Sequence, residues 1–128
     1  MFAGGTVDEP IGRDSKDRVK QAVSQSGKEA LTHYRAIDRF KSHTHVKAIL
    51  ETGRTHQIRV HAQYVGCSLA GDVKYGSDDY NDDARRLGLG RMFLHALKIQ
   101  FFSPCGKKIL IEAPIPPELS RYLQKLDH

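Results

Sequence analysis

Residues 51–66 read ETGRTHQIRVHAQYVG. The first eleven hold four cationic or imidazole side chains, Arg54, His56, Arg59 and His61, against one carboxylate, Glu51. From Thr55 to Val65 there is no acid and no lysine. A solvated helix face ordinarily interleaves Lys and Glu at i, i+4 spacing. This one does not, and two uses stay open: a charged face, or an anion or RNA site. In the second use Arg54 and Arg59 clamp phosphate oxygens bidentately. His56 and Gln63 then hydrogen-bond sugar or phosphate.

Other chemistries fit less well. His43 and His45 are two residues apart, and His56 and His61 are five apart. On a helix a spacing of five turns side chains ~140° away from each other, whereas a helical metal pair needs i, i+4. Cys67 and Cys105 have no ligand-type neighbours at metal spacing. The same two thiols leave a Cys–His nucleophile without any local signature. The stretch AGDVKYG at 70–76 lacks the spacing of a phosphate-binding P-loop. It reads as a turn with a core tyrosine, or as the border of a substrate cleft formed by Tyr75 or Asp72.

These groups must be positioned by one domain. The chain has 128 residues, 39% hydrophobic and 27% charged, which is the balance of a folded soluble protein and not of a disordered tail. A net charge of +5 favours polyanion partners only weakly. Two cysteines outside any CxxC pair imply free thiols in a reducing compartment. No apolar run approaches the ~20 residues of a membrane span. MFAGGTVDEP has neither a charged start nor an apolar core, so a signal peptide is not expected and a cytoplasmic location is.

Residues 1–13, with Gly4, Gly5, Pro10 and Gly12, read as loop, and 14–25 are charged and weakly patterned. Ser26-Gly27-Lys28 reads as a turn. Alternation predicts a half-buried strand over 31–40, with Tyr34, Ala36 and Phe40 inward, and a second over 45–51 with Val46, Ala48 and Leu50 on one face. Gly53 breaks that strand. A short amphipathic helix follows, stopped at Gly66. Ile58, Ala62 and Val65 form its apolar side, and His56, Arg59 and Gln63 lie nearly opposite with Val60 beside them. Residues 70–90 read as a loop with one helical turn. LKIQFF and KKILIEA flank SPCG as a hairpin. PELSRYLQKL reads as a helix with Leu119, Tyr122, Leu123 and Leu126 as its buried stripe.

LETGRTHQIRVHAQYVG followed by AGDVKYG resembles the late motif block of the RluA-type pseudouridine synthases, which modify uridines in large-subunit ribosomal RNA. GGTVDEPIGR, GKEALTHYRAIDRF, FLHALKIQFFSP and EAPIPPEL resemble further stretches of that family in the same order. The resemblance implies an α+β fold with a mixed, largely antiparallel sheet and a few short helices. It implies isomerisation of uridine to pseudouridine with no cofactor and no metal. In that family an aspartate attacks or deprotonates a flipped nucleoside, and the uracil detaches, rotates and rejoins the ribose through carbon 5.

Carried onto this chain, the resemblance makes Arg59 the partner of the catalytic carboxylate, which it holds ionised. Ile58 or Val60 lines the uracil pocket, and Arg54, Thr55, His56, Gln57, Gln63 and Tyr75 contact RNA or substrate. The family's aspartate sits in a GRLD motif, followed by a tyrosine-bearing strand, and both stand before the GGTVDEP segment. Here that segment begins at Gly4, so both are expected to precede Met1. Gly12-Arg13-Asp14 lacks the leucine and does not replace them. Residues 1–128 are therefore expected to be the C-terminal part of a catalytic domain, inactive alone, with large-subunit ribosomal RNA as partner and an unpaired sheet edge open to self-association. The rival expectation is an RNA-binding module without catalysis, or an inactive remnant.

Overall fold

Runs of alternating polarity and two-residue glycine or proline breaks divide the chain into short elements. The computed structural model describes residues 4–17, 19–102 and 108–126. Along the chain these form β1 (Gly5–Asp8), β2 (Ile11–Arg13), β3 (Gln21–Val23), β4 (Leu31–Arg39), β5 (Thr44–Leu50), α1 (Gln57–Tyr64), α2 (Asp78–Arg86), β6 (Lys98–Phe102), β7 (Lys108–Glu112) and α3 (Pro117–Gln124). The fold is α+β, as expected. Every described strand pair is antiparallel, in three sheets of order β1-β4-β5, β2-β3 and β6-β7, rather than in one mixed sheet. No helix among the described residues is long and apolar enough to cross a membrane.

The predicted strands at 31–40 and 45–51 pair as a hairpin, with Thr32 and Tyr34 buried on one side of β4 and Phe40 buried just past its end. The Phe40 amide donates to the His43 carbonyl at 2.8 Å and closes the turn. The 98–112 hairpin forms too, although its tip, with Cys105, lies outside the described residues. Two expectations fail nearby. The described part of 1–13 is not all loop: β1 pairs with β4, Gly5 opposite Tyr34 and Asp8 opposite Leu31. Residues 21–23 are also a strand, paired to β2. β1 is set by a distant strand and β3 by its hairpin partner, which local glycine and charge content cannot reveal.

Residues 77–86 are likewise more than one helical turn. Ser77 caps α2 by accepting the Tyr80 amide at 3.1 Å. Asp78 and Asp79 lie at the positive end of α2, and Arg85 and Arg86 at the negative end. Asp82–Arg85 and Asp83–Arg86 pair at i, i+3. The composition that suggests a loop thus supplies a cap, a dipole complement and two ion pairs. Only Asn81 and Ala84 are buried from α2.

Two clusters form the described core. Ile11, Ala30, Val60 and Tyr75, with Val23 against them, lie beneath α1. Ala84, Leu89, Leu119 and Tyr122 join α2 to α3, with Phe93, Leu87 and Leu126 packed alongside. Proline at the first turn of α3 and the buried Leu119 and Tyr122 match the helix expected there.

Six of the exposed large apolar residues, Ile37, Ile49, Leu50, Val65, Leu97 and Ile115, line one open groove of about 1450 Å³. β5 is the outer strand of its sheet beside it. An unpaired edge with an apolar face templates association. The chain should therefore self-associate with rising concentration, and Ile49→Lys with Leu50→Lys should shift it toward monomer. Sedimentation velocity over a hundredfold concentration range reads this directly. A monomer throughout would show that neither edge nor groove drives association.

Candidate active site

An eight-residue helix is too short to persist alone in water. α1 is held by side-chain hydrogen bonds as well as by Val60. The Gln57 side-chain amide donates to the Leu31 carbonyl at 3.0 Å and to Thr32 Oγ1 at 2.9 Å. Its oxygen accepts from the Thr52 hydroxyl at 2.7 Å and the Arg54 amide at 2.9 Å. His61 Nε2 faces the Glu9 carbonyl at 2.9 Å, which can only accept, so Nε2 carries the proton. The bare Nδ1 then accepts from the Thr32 hydroxyl at 2.8 Å. At the far end Gly66, with φ 83°, closes the helix: its amide bonds the Gln63 carbonyl, and the Cys67 amide bonds that of Ala62. This is a Schellman stop, and it fulfils the expected role of Gly66.

The helix presents its faces differently from the expected stripe. Gln57, Val60, His61 and Ala62 are buried. Val65 is exposed, and Ile58, Ala62 and Val65 border the apolar groove. Val60 is 2% exposed in the core, so it packs beneath α1 rather than lining a pocket. Gln57 is 3% exposed with its amide fully engaged. It positions the site and offers no free group to RNA. Thr55 and Gln63 are exposed. Arg54 Nε donates to the Glu29 carbonyl at 2.7 Å.

Arg59 has a partner within this chain. Its Nε donates to Asp72 Oδ2 and its Nη2 to Oδ1, both at 2.9 Å, in a bidentate fork. The Asp72 side chain is 1% exposed and that of Arg59 17%. The guanidinium carbon also sits 4.9 Å from the centre of the Tyr75 ring. Burial pushes the Asp72 carboxyl up, but the Arg59 fork and the Tyr75 amide at 3.1 Å outweigh it and hold it below the usual range. The fork in turn raises Arg59. The expected upstream partner is thus preceded by a local one, thirteen residues away across a turn. Periodicity carries no signal for such a pair. The stretch AGDVKYG did point to Asp72 and Tyr75, without saying what they hold.

The turn that carries Asp72 is itself clamped. Asn81 of α2 accepts from the Gly71 amide at 3.0 Å and donates to the Asp72 carbonyl at 2.9 Å. Gly71 has φ 79°, and a side chain there would run into the Arg91 carbonyl. Tyr75 is the core tyrosine that one reading of its motif expected. Its ring is buried in the core cluster, while its hydroxyl accepts from the Gln21 amide at 2.9 Å and meets His56 Nδ1 at 2.8 Å. His56, Arg59, Asp72 and Tyr75 therefore form one cluster, on a different side of α1 from the apolar groove. Among the described residues no three His, Cys, Asp or Glu side chains gather as a metal site.

Residues 3–64 match the family model described as RNA pseudouridylate synthase. An uncharacterized RNA pseudouridine synthase of Bacillus subtilis is 44% identical over 126 residues, covering 95% of this chain and 39% of the relative. The ribosomal large subunit pseudouridine synthase D of Vibrio parahaemolyticus is 43% identical over 129 residues, covering 93% and 39%. The chain thus spans about two-fifths of the length of these relatives. Among solved structures, human RNA pseudouridylate synthase domain containing 1 superposes with a TM-score of 0.71 at 27% identity, over 92% of this chain and 51% of that one.

The fork makes a stability prediction. The Asp72 carboxyl lies below its unfolded value, so its contribution is present above the unfolded pKa and is lost as pH falls through the folded one. Asp72→Asn leaves a buried guanidinium with half its partner and should cost about 3–5 kcal/mol. Arg59→Leu with Asp72→Leu should cost less than either single change. Urea unfolding of wild type and variants from neutral to acid pH checks both. The wild type should lose its advantage over Asp72→Asn below the ordinary aspartate range, and a constant gap across that range would remove the fork from the account.

Proposed function

Because the chain belongs to the RNA pseudouridylate synthase family, we propose that it forms the C-terminal part of a catalytic domain that isomerises uridine to pseudouridine in large-subunit ribosomal RNA. The observation that carries this is Arg59, held by Asp72 over Tyr75, with its remaining guanidinium N–H groups uncommitted among the described residues. Two of the five donors are occupied, which fixes the direction of the rest. That outer edge meets the catalytic carboxylate, contributed by the portion of the family fold this chain does not span. A guanidinium beside it keeps the carboxylate ionised at neutral pH, as nucleophile or base.

The reaction then breaks the bond from C1′ to N1 and forms one from C1′ to C5. The C5 hydrogen leaves as a proton and N1 gains one, so no oxidant or cofactor is required. The flipped base reaches the site from the RNA stack. Ile58, half-buried on the groove side of α1, supplies apolar contact to the uracil. Arg54, Thr55 and Gln63 meet the RNA backbone.

Tritium release from RNA labelled at uridine C5 is the test. This chain alone should release none. Joined to the preceding portion of the Bacillus subtilis relative, it should turn over. In that joined protein Arg59→Ala should slow single-turnover release at least about a hundredfold, at ~1.4 kcal/mol per decade. Arg54→Ala should instead weaken RNA binding and flatten its salt dependence, with the bound rate nearly unchanged. Release by the chain alone would move the nucleophile to a resident aspartate such as Asp14 or Asp72. RNA binding without release by the joined protein would favour a non-catalytic RNA-binding module.

A further inference from the structure

His56 is the one non-glycine residue with positive φ among those described, at φ 56° and ψ 23°. Such a conformation costs on the order of 1–3 kcal/mol in a residue with a β-carbon. The strain does not serve helix capping, since the His56 side chain makes no hydrogen bond to α1. It turns the ring onto Tyr75 instead, edge to face at 5.5 Å.

One assignment of the hydrogen bonds there gives the Gln21 amide and the Tyr75 hydroxyl each an acceptor among the described residues. The Gln21 amide can only donate, and it reaches the Tyr75 oxygen at 2.9 Å. The phenolic hydrogen has no other acceptor among the described residues, so it goes to His56 Nδ1 at 2.8 Å. Nδ1 is thus the bare nitrogen, and the single proton of a neutral imidazole sits on Nε2. Nε2 has no partner among the described residues. The groups around the ring keep it neutral: burial lowers its pKa, Arg59 and Lys74 lower it further, and Asp72 opposes them. The bare nitrogen is covered by a hydroxyl on a residue only 3% exposed. A general base needs that nitrogen open, so the ring serves as a donor and not as a base.

We infer that His56 is a binding residue whose Nε2–H donates to a non-bridging phosphate oxygen of a nucleotide, with Tyr75 as the positioning residue that fixes the tautomer. Lys74, bonded to the neutral Val19 carbonyl, supplies the positive field that draws an anionic oxygen to this donor. The phosphate belongs to a nucleotide only on the RNA reading above; the anion site itself rests on the local geometry. A neutral donor suits the place, because a protonated imidazole would repel Arg59.

Nitrogen-15 spectra of the histidine rings in this chain, with orthophosphate and then a short uridine-bearing oligoribonucleotide as probes, test it. At neutral pH His56 should show the Nε2–H tautomer, and orthophosphate should shift Nε2 saturably. His56→Gly relieves the strained backbone, so the melting temperature should hold while oligonucleotide affinity falls about tenfold, or ~1.4 kcal/mol. His56→Asn tolerates the left-handed backbone and carries an N–H donor, so it should recover part of the loss. Tyr75→Phe should leave the Arg59 contact but release the tautomer and weaken binding. An Nδ1–H tautomer, no phosphate response at His56, or unchanged affinity in His56→Gly would each overturn the inference. If orthophosphate responds as expected and the oligonucleotide does not bind, the anion site stands and the RNA reading fails. If RNA binds with His56 indifferent, the reverse holds.

Discussion

The buried chain of hydrogen bonds through Gln57, Thr32 and His61 is the constraint on which the site depends. It runs from the Leu31 amide through Thr52 to Gln57, and from Gln57 through the Thr32 hydroxyl to His61 and the Glu9 carbonyl. Thr32 and His61 have no exposed surface. Each hydroxyl in the chain both accepts and donates, which fixes the direction of every proton in it. An unsatisfied buried polar group costs about 1–3 kcal/mol, so this arrangement tolerates little rotation or slippage of α1 against β4. No described buried side-chain nitrogen or oxygen lacks a partner. The helix register fixed in this way decides where Arg59 and His56 point.

From that register the remaining architecture follows as support for a single turn. Arg59 leaves α1 toward residues 71–75, and something must hold those residues in place. α2 does so through Asn81, one of its two buried residues. The β2–β3 hairpin holds the other side, with the Gln21 amide on Tyr75 and the Val19 carbonyl accepting from Lys74 at 3.1 Å. α2 otherwise buries only Ala84, against Leu119 and Tyr122. Its contribution to the site is the pair of hydrogen bonds made by Asn81.

The sequence made the long elements legible and the short ones not. β4, β5, α1, the 98–112 hairpin and α3 carry a period over enough residues to be counted. β1, β2 and β3 have three or four residues each and exist because of their partners: β1 pairs with β4, as Val7 opposite Thr32 illustrates, and β2 pairs with β3. α2 hides behind Asp, Asn and Arg because its stabilisation is electrostatic and its buried face is narrow. In α1 the apolar stripe was readable but its meaning was not: Ile58, Ala62 and Val65 border the groove, while polar Gln57 and His61 go inward. Buried polar side chains invert the pattern rule when their hydrogen bonds are complete. The resemblance offered Gln57 as a contact and Ile58 or Val60 as a pocket wall, where the fold makes Gln57 an anchor and Val60 core.

The fork between Arg59 and Asp72 separates two tasks that a basic helix face would otherwise mix. A lone arginine contributes charge but carries ~2 kcal/mol of rotamer entropy, which is lost when it is used. Forked to a buried carboxylate, the side chain is already ordered, and its remaining donors keep one direction before any ligand arrives. The same fork nearly cancels its net charge. Long-range attraction for a polyanion must then come from cations without an internal carboxylate partner, such as Arg54, whose Nε is bonded to a neutral carbonyl, and Lys74, bonded to another. On the proposed reading, Arg59 is placed for chemistry and its neighbours for capture. An arginine that did both would trade orientation for reach, since each phosphate it followed would pull its edge away from the reacting carboxylate. Pre-organisation of this kind is the usual source of electrostatic catalysis, and on that reading it is built from an aspartate whose own side chain is 1% exposed.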